Sequence, residues 1–286
     1  MLLKPFDPWK GRLCTCPPKL SLNPYTGCSH GCLYCYAASY IPRFKECRPK
    51  VDLLKRLGRE VHRLKDDHLV ALSNSSDPYP PLEKDLGLTR ECLRILGSRG
   101  IPVQVVTKSD LVHRDQDLLR EMRATVSLTL TTLEDSLSAI LEPGAPQPGR
   151  RLEALQGLSR AGVPTSVRVD PIIPLVNEGE IESLVQAAAR AGARHVVSST
   201  YKARPDNWKR LSRAFPGETE EMRPLYFVRG EMIGGSRYLP QGERVRLLSR
   251  ARAAALGSDL TFSTCREGIL TDAPSCDGTH LVRLKR

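Results

Sequence analysis

Thr26-Gly27-Cys28-Ser29-His30-Gly31-Cys32-Leu33-Tyr34-Cys35-Tyr36 is the stretch on which the reading of this chain turns. Three cysteines stand four and three residues apart in a segment that two glycines keep open. Thiolates this close in sequence can converge on one soft-metal centre, and thiolate ligands select zinc or iron–sulfur. A structural zinc takes four protein ligands, and the nearest further thiol, Cys47, is twelve residues on. His30 as fourth ligand lies between two of the cysteines and would strain the loop. Three thiolates fit a [4Fe–4S] cluster with one iron left open, and a zinc knuckle stands as the alternative.

Outward from this loop, the 286 residues suffice for one large domain or a barrel with an appendage. No apolar run approaches a membrane span, and Met1-Leu2-Leu3-Lys4-Pro5-Phe6-Asp7 lacks the pattern of a secretory signal, so a cytoplasmic protein without membrane partners is expected. Nine cysteines in that setting argue for metal or redox chemistry rather than disulfides. The net charge is +11 and uneven: twelve Lys or Arg fall between Lys202 and Arg252 against six acids, together with six of the fifteen aromatics between Tyr201 and Tyr238. Basic groups interleaved with aromatics suit phosphate backbones and unstacked bases; a solvated basic face is the plainer account.

The lead-in, residues 1–21, is too proline-rich for helix around Cys14-Thr15-Cys16-Pro17-Pro18. Strands are expected at 20–25, 69–72, 103–107, 125–130, 165–169 and 195–199, from apolar runs and alternation. Helices are expected at 51–64, 89–96, 111–122, 149–161 and 180–191 from apolar spacing. Six strands alternating with helices imply parallel pairing and right-handed crossovers. The expected fold class is α/β, an open partial (β/α)6 TIM-like barrel over 22–200, with a basic C-terminal extension over 201–286. That extension holds a helix at 243–256 and a cysteine-bearing tail.

In parallel barrels the chemistry sits at the C-terminal strand ends. The cysteine loop follows the first expected strand, Ser76 and Asp77 the second, Lys108 the third and Tyr201 the sixth, while Thr129 and Thr131 end the fourth and Asp170 and Ile172 follow the fifth. Polar groups at successive strand ends describe a site rather than a packed core.

The spacing C-x3-C-x2-C with aromatic neighbours resembles the radical S-adenosylmethionine (SAM) superfamily. Cys28–Cys35 with Tyr34 and Tyr36, the 73–81 loop, Val106-Thr107-Lys108-Ser109, the 142–148 loop with Arg151-Leu152, and Pro171-Ile172-Ile173-Pro174 are similar to the spore photoproduct lyase family, over roughly residues 15–200. The resemblance implies an enzyme whose [4Fe–4S] cluster, on Cys28, Cys32 and Cys35, has SAM chelated at its open iron and cleaves it to a 5′-deoxyadenosyl radical. It implies that Ser76 and Asp77 contact SAM, that Lys108 pairs with the SAM carboxylate, and that Ile172 and Ile173 pack on adenine. Thr129 would hydrogen-bond the methionyl or ribose part. Tyr34 and Tyr36 match tyrosines that pass a hydrogen atom back towards SAM. An electron donor such as flavodoxin or ferredoxin and a nucleic-acid substrate are implied as partners.

One position departs from that pattern. The lyase places its hydrogen-donating cysteine two residues before the strand-two serine, and here that residue is Asn74, which has no weak S–H bond. A relative acting on another substrate, or using another donor, is therefore expected. Cys92 reads as a small buried hydrophobe in a helix. Cys14, Cys16, Cys265 and Cys276 sit in loops at the two chain ends and read as ligands of a second metal centre, an iron–sulfur cluster first and zinc second. The argument is topological: in an open barrel the lead-in and the tail can meet across the gap between the first and last strands. Two other functions remain at this point: a radical SAM enzyme acting on a peptide or small molecule, and a zinc-dependent nucleic-acid-binding protein without catalysis.

Overall fold

A computed structural model describes residues 1–6, 11–65, 67–72, 75–269 and 271–282. Its main sheet has eight strands in spatial order β1 to β8. They are β1 (Lys4–Pro5), β2 (Leu20–Leu22), β3 (Val70–Leu72), β4 (Val103–Thr107), β5 (Ala124–Thr129), β6 (Thr165–Ile172), β7 (His195–Thr200) and β8 (Thr261–Thr264). From β2 to β8 every neighbouring pair is parallel; β1 alone runs antiparallel, against β2 at one edge. Strand order follows chain order, so successive crossovers wind one way round and the sheet curls into an open barrel with β1 and β8 at its edges.

The connecting helices are α1 (Leu53–Val61), α2 (Leu88–Gly97), α3 (Gln116–Glu121), α4 (Asp135–Leu141), α5 (Pro148–Arg160), α6 (Ile181–Arg190), α7 (Pro205–Ala214), α8 (Pro216–Phe227) and α9 (Gln241–Leu256). Their apolar spacing explains where they dock. Cys92, Leu93 and Leu96 of α2, and Ile181, Leu184, Val185 and Ala188 of α6, recur at three and four residues and are buried against the sheet. Pro148 opens α5 at the position where its missing N–H costs nothing.

Strand residues alternate between two buried faces. In β6, Val167 and Val169 join the hydrophobic core, while Ser166, Arg168 and Asp170 share the other side. Thr125, Ser127 and Thr129 of β5 do the same against Val126 and Leu128. The barrel interior is thus lined by small polar and charged groups.

The sheet differs from expectation in one respect that matters. The 201–286 segment was expected to extend beyond six strands, but Thr261–Thr264 is a seventh parallel strand on β7, and α9 packs on α6, β7 and β8. Its sequence, Thr-Phe-Ser-Thr, is too short and too polar to announce itself as a buried strand. The tail then turns back into the barrel. Asp277 pairs with Lys19, its carbonyl accepts from Gln104 Nε2 (2.7 Å), and Ser263 Oγ donates to the Cys276 carbonyl (2.9 Å). Among the described residues no helix is long and apolar enough to cross a membrane.

Candidate active site

The cysteine loop follows β2 and is fixed from both sides. Gly27 has φ +80°, and a Cβ there would lie 2.4 Å from the Glu46 carbonyl oxygen, so only glycine fits. Cys28 N–H donates to the Phe44 carbonyl (2.7 Å) and Gly144 N–H to the His30 carbonyl (2.8 Å). From α7, Arg210 donates to the carbonyls of Leu33 (2.9 Å) and Cys35 (2.7 Å), and Asn207 Nδ2 to that of Tyr34 (3.2 Å). The loop backbone is therefore held by neighbouring backbone and by the α7 side chains, and backbone N–H groups of His30 and Asp77 bond the Cys28 sulfur. Burial, then the charges of Asp77 and Cys35, push the Cys28 thiol up to about 12. Burial also raises Cys32, with Lys108 pulling the other way. A metal must displace these protons to bind.

A buried charge cluster stands beside the loop. Glu142, in the turn after α4, pairs with Arg151 of α5 (2.5 Å), lies 3.9 Å from Lys108 Nζ and accepts from the Tyr34 hydroxyl. Arg151 also donates to the carbonyls of Pro146 (2.7 Å) and Thr129 (3.2 Å). Burial works against the Glu142 charge, yet Arg151 and Lys108 hold its carboxyl below the usual range. Lys108 and Arg151 stand here against the carboxylates of Glu142 and Asp77, and of these charges Lys108 acts most strongly on the Cys32 thiol. Sequence reasoning named Lys108 but not Glu142 or Arg151 as site residues; an acid and an arginine nine residues apart carry no local signature. Asn207 and Arg210 were missed because α7 itself was not expected.

The other sequence candidates divide. Ser76 is buried, and its Oγ has no partner among the described residues. Asp77 is spent on the fold. One oxygen accepts from Thr107 Oγ1 (2.6 Å) and Tyr79 N–H (2.9 Å), the other from Lys108 N–H (2.8 Å), with His30 Nδ1 3.5 Å away. It locks the loop after β3 onto the end of β4 and has no oxygen aimed at a ligand. Burial, the leading influence, lowers the His30 pKa and keeps the ring neutral, turned to Asp77 rather than to the thiols. Thr129 ends β5 beside Arg151. Ile172 and Ile173, expected to pack on adenine, are core side chains, 1% and 0% exposed. They have no open face on which a ring could lie. Tyr34 is turned inward to Glu142, whereas Tyr36 is 47% exposed at the mouth, its ring centroid 6.2 Å from that of the half-exposed Tyr40. Asn74 lies outside the described residues.

The chain-end cysteines also divide. Cys16 and Cys276 meet, with their sulfurs 3.5 Å apart, and Cys265 adjoins them at the end of β8. Cys14 sits two residues upstream, partly buried. Cys92 is a buried core residue, as expected. Among the described residues no three His, Cys, Asp or Glu side chains close on one point at the spacing of a single metal ion. A [4Fe–4S] cluster places its thiolates on separate irons, farther apart than the Cys16 and Cys276 sulfurs stand, so loading one here requires those two side chains to part.

The basic segment is less free than its composition suggested. Lys202 and Arg244 pair with Glu267, Arg210 with Asp206, Arg246 with Glu178 and Glu243, Arg250 with Glu182 and Arg252 with Asp272. These six of the twelve cations brace the fold. Lys209, Arg213, Arg223 and Arg229 remain exposed on α7, α8 and the turn after α8.

The structure thus sets a three-cysteine loop, a partly buried lysine and an unpartnered serine at the strand ends of an open parallel barrel. A family model of the radical SAM superfamily matches residues 22–188, and the chain belongs to that superfamily. Membership implies a [4Fe–4S] cluster and SAM. Relatives include an uncharacterised protein of Methanocaldococcus jannaschii, 32% identical over 168 residues (54% of this chain, 61% of that one). A second, from Mycobacterium bovis, is 29% identical over 257 residues, covering 82% of this chain and 73% of its own. A Pseudomonas phage M6 protein named radical SAM Nα-GlyT isomerase is 25% identical over 257 residues, 86% of this chain and 53% of its own. The chain thus spans little more than half the length of two of these relatives. Among solved structures, a mutant spore photoproduct lyase with bound AdoMet and dinucleoside spore photoproduct superposes with TM-score 0.66 at 16% identity, covering 90% of this chain and 79% of that one. Streptococcus suis SuiB bound to S-adenosylmethionine gives 0.58 at 16%, covering 86% and 50%. At these identities the likeness is one of fold.

Proposed function

We propose that this enzyme holds a [4Fe–4S] cluster on Cys28, Cys32 and Cys35, cleaves SAM with it, and acts on nucleic acid. The observation that carries the first part is the meeting of the three-thiol loop and the Lys108 ammonium; the unpartnered Ser76 hydroxyl is next in chain to Asp77, whose N–H bonds Cys28. A buried hydroxyl without a partner costs stability unless a ligand supplies one. The Lys108 ammonium suits both a thiolate cluster and a ligand carboxylate.

When bound, the cluster and SAM supply one electron and a 5′-deoxyadenosyl radical, the electron coming from an external donor such as flavodoxin or ferredoxin; the chain supplies placement. In this reading Lys108 pairs with the SAM carboxylate, Ser76 hydrogen-bonds SAM, and Thr129 bonds its methionyl or ribose part. Glu142 and Arg151 hold Lys108 and Tyr34 in position and exclude water from the back of the loop. Tyr36, open to the mouth, is the tyrosine that touches substrate; Tyr34, committed to Glu142, positions. Lys108→Ala should weaken SAM binding about tenfold or more with iron content unchanged, because losing a charge-assisted pair in a partly buried site costs about 1.5–3 kcal/mol. Unchanged affinity would return Lys108 to a purely structural role beside Glu142.

The nucleic-acid part rests on the mouth. Tyr36 and Tyr40 offer exposed rings, Arg204 and Arg266 place their charges beside Tyr40, and the exposed cations of α7 and α8 lie in the same segment. Aromatic faces take unstacked bases and the cations take phosphates. Affinity for single-stranded DNA or RNA should fall linearly on a log–log plot against salt, with a slope set by the phosphates neutralised. Reversing Lys209, Arg213 and Arg229 to Glu should lower both affinity and slope. Absence of binding to single- or double-stranded DNA or RNA at low ionic strength would favour a peptide or small-molecule substrate. The decisive experiment is anaerobic incubation with SAM, reductant and candidate nucleic acids, following 5′-deoxyadenosine and deuterium transfer from labelled substrate. Transfer from nucleic acid supports the whole reading, and 5′-deoxyadenosine without any transfer removes the substrate assignment.

A further inference from the structure

Three thiols outside the Cys28–Cys35 loop come together from three separate places in the chain. Cys16 comes from the lead-in before β2, Cys265 from the end of β8, and Cys276 from the tail folded back into the barrel. The sulfurs of Cys16 and Cys276 are 3.5 Å apart. Cys265 lies close enough to interact electrostatically with both. Cys276 is buried and the other two are partly buried.

The backbone around each thiol is held. Lys19, three residues after Cys16, pairs with Asp277, the neighbour of Cys276. Ser263 Oγ donates to the Cys276 carbonyl (2.9 Å) and Cys265 N–H to the Ser198 carbonyl (2.9 Å). Three cations border the group: Lys19 near Cys16 and Cys276, and Arg168 and Lys202 near Cys265, Arg168 within hydrogen-bonding reach of its sulfur. Each has one carboxylate partner, Asp277, Asp170 and Glu267 respectively. Lysine carries three N–H donors and arginine five, so donors remain for sulfur. Thiols gathered from distant segments into one partly buried place, with cations around them, are a donor set suited to a soft metal, which displaces their protons when it binds.

We propose that Cys16, Cys265 and Cys276 hold a second iron–sulfur cluster, which ties the lead-in to the tail across the open side of the barrel. Three thiolates suffice for a cluster with one iron not bound by cysteine. Loading it releases the three thiol protons to solvent and needs only iron and sulfide. Tyr36 interacts with both Cys35 and Cys265, so the second centre would face the same mouth as the first.

The test uses the full chain, reconstituted anaerobically with iron and sulfide. The wild type should carry about eight irons and the Cys28→Ala/Cys32→Ala/Cys35→Ala variant about four, with matching acid-labile sulfide and a [4Fe–4S] Mössbauer doublet in the variant. Adding Cys265→Ser and Cys276→Ser should bring iron to zero. Should the triple variant fail to fold, Cys16→Ser/Cys276→Ser alone should lower the wild-type count from about eight to about four. A triple variant that folds without iron, or one that carries zinc instead, overturns the proposal. A Cys16–Cys276 disulfide in anaerobically prepared protein, seen by intact mass, overturns it too. None of these outcomes depends on the first site, since a failed first site would lower the wild-type count without changing that of the triple variant.

Discussion

Replacing Cys32 by Ala is expected to abolish 5′-deoxyadenosine formation from SAM, to below detection, under dithionite and anaerobic conditions. Cys28→Ala and Cys35→Ala should do the same, because three thiolates are the minimum that leaves one iron free for a ligand, and each is fixed by a loop with no spare sulfur. The loop is clamped by Arg210, Asn207 and Phe44 rather than by the metal, so the variants should fold and lose about four irons each. Cys47, partly buried in the following loop, is the control: Cys47→Ala should keep both iron and activity. Undiminished SAM cleavage by Cys32→Ala would end the assignment of this loop as the cluster site.

Arg151→Ala is expected to destabilise the protein by about 3–5 kcal/mol, measured as an anaerobic denaturation midpoint. Arg151 and Glu142 are each 1% exposed, and removing the guanidinium leaves a carboxylate buried with only the more distant Lys108 as counter-charge. The pH dependence has a definite sign. In the wild type the Glu142 carboxyl is held below its unfolded value, so it contributes stability above that value, near 4.3, and loses it as pH falls through the lower folded one. Without Arg151, burial dominates and the folded pKa rises above the unfolded one. The variant then suffers most at neutral pH and recovers as pH falls, so the gap between the two proteins should narrow towards pH 4. Adding Glu142→Gln should restore part of the loss by removing the unpaired charge. A constant gap from pH 7 to pH 4 would show that Arg151 acts through packing and its carbonyl bonds alone.

The buried pair also clarifies the site. Lys108 is presented at the mouth by Glu142, and Glu142 is oriented by Arg151, which reaches across to the Thr129 carbonyl at the end of β5. One arginine thereby links the cysteine loop, the fourth and fifth strand ends and α5.

What the sequence determined by itself was local. Alternation and apolar spacing placed all six expected strands within the described sheet, and Cys28–Cys35, Ser76, Lys108 and Thr129 fall at or just after strand ends as expected. These signals survive without context because they lie within a few residues of one another. Tertiary structure alone decided the rest. It spent Asp77 on the Thr107–Lys108 backbone, buried Ile172 and Ile173 beyond reach of a ring, and absorbed half the basic segment into ion pairs. A carboxylate's role depends on which donors surround it, and a cation's on whether an acid faces it, and neither is written in the neighbouring sequence. It also brought Thr261–Thr264 into the sheet, Glu142 to Arg151 and Lys108, and Arg210 to the cysteine loop. Cys16 and Cys276, 260 residues apart, met because a sheet that does not close leaves an interior that only the two chain ends can fill.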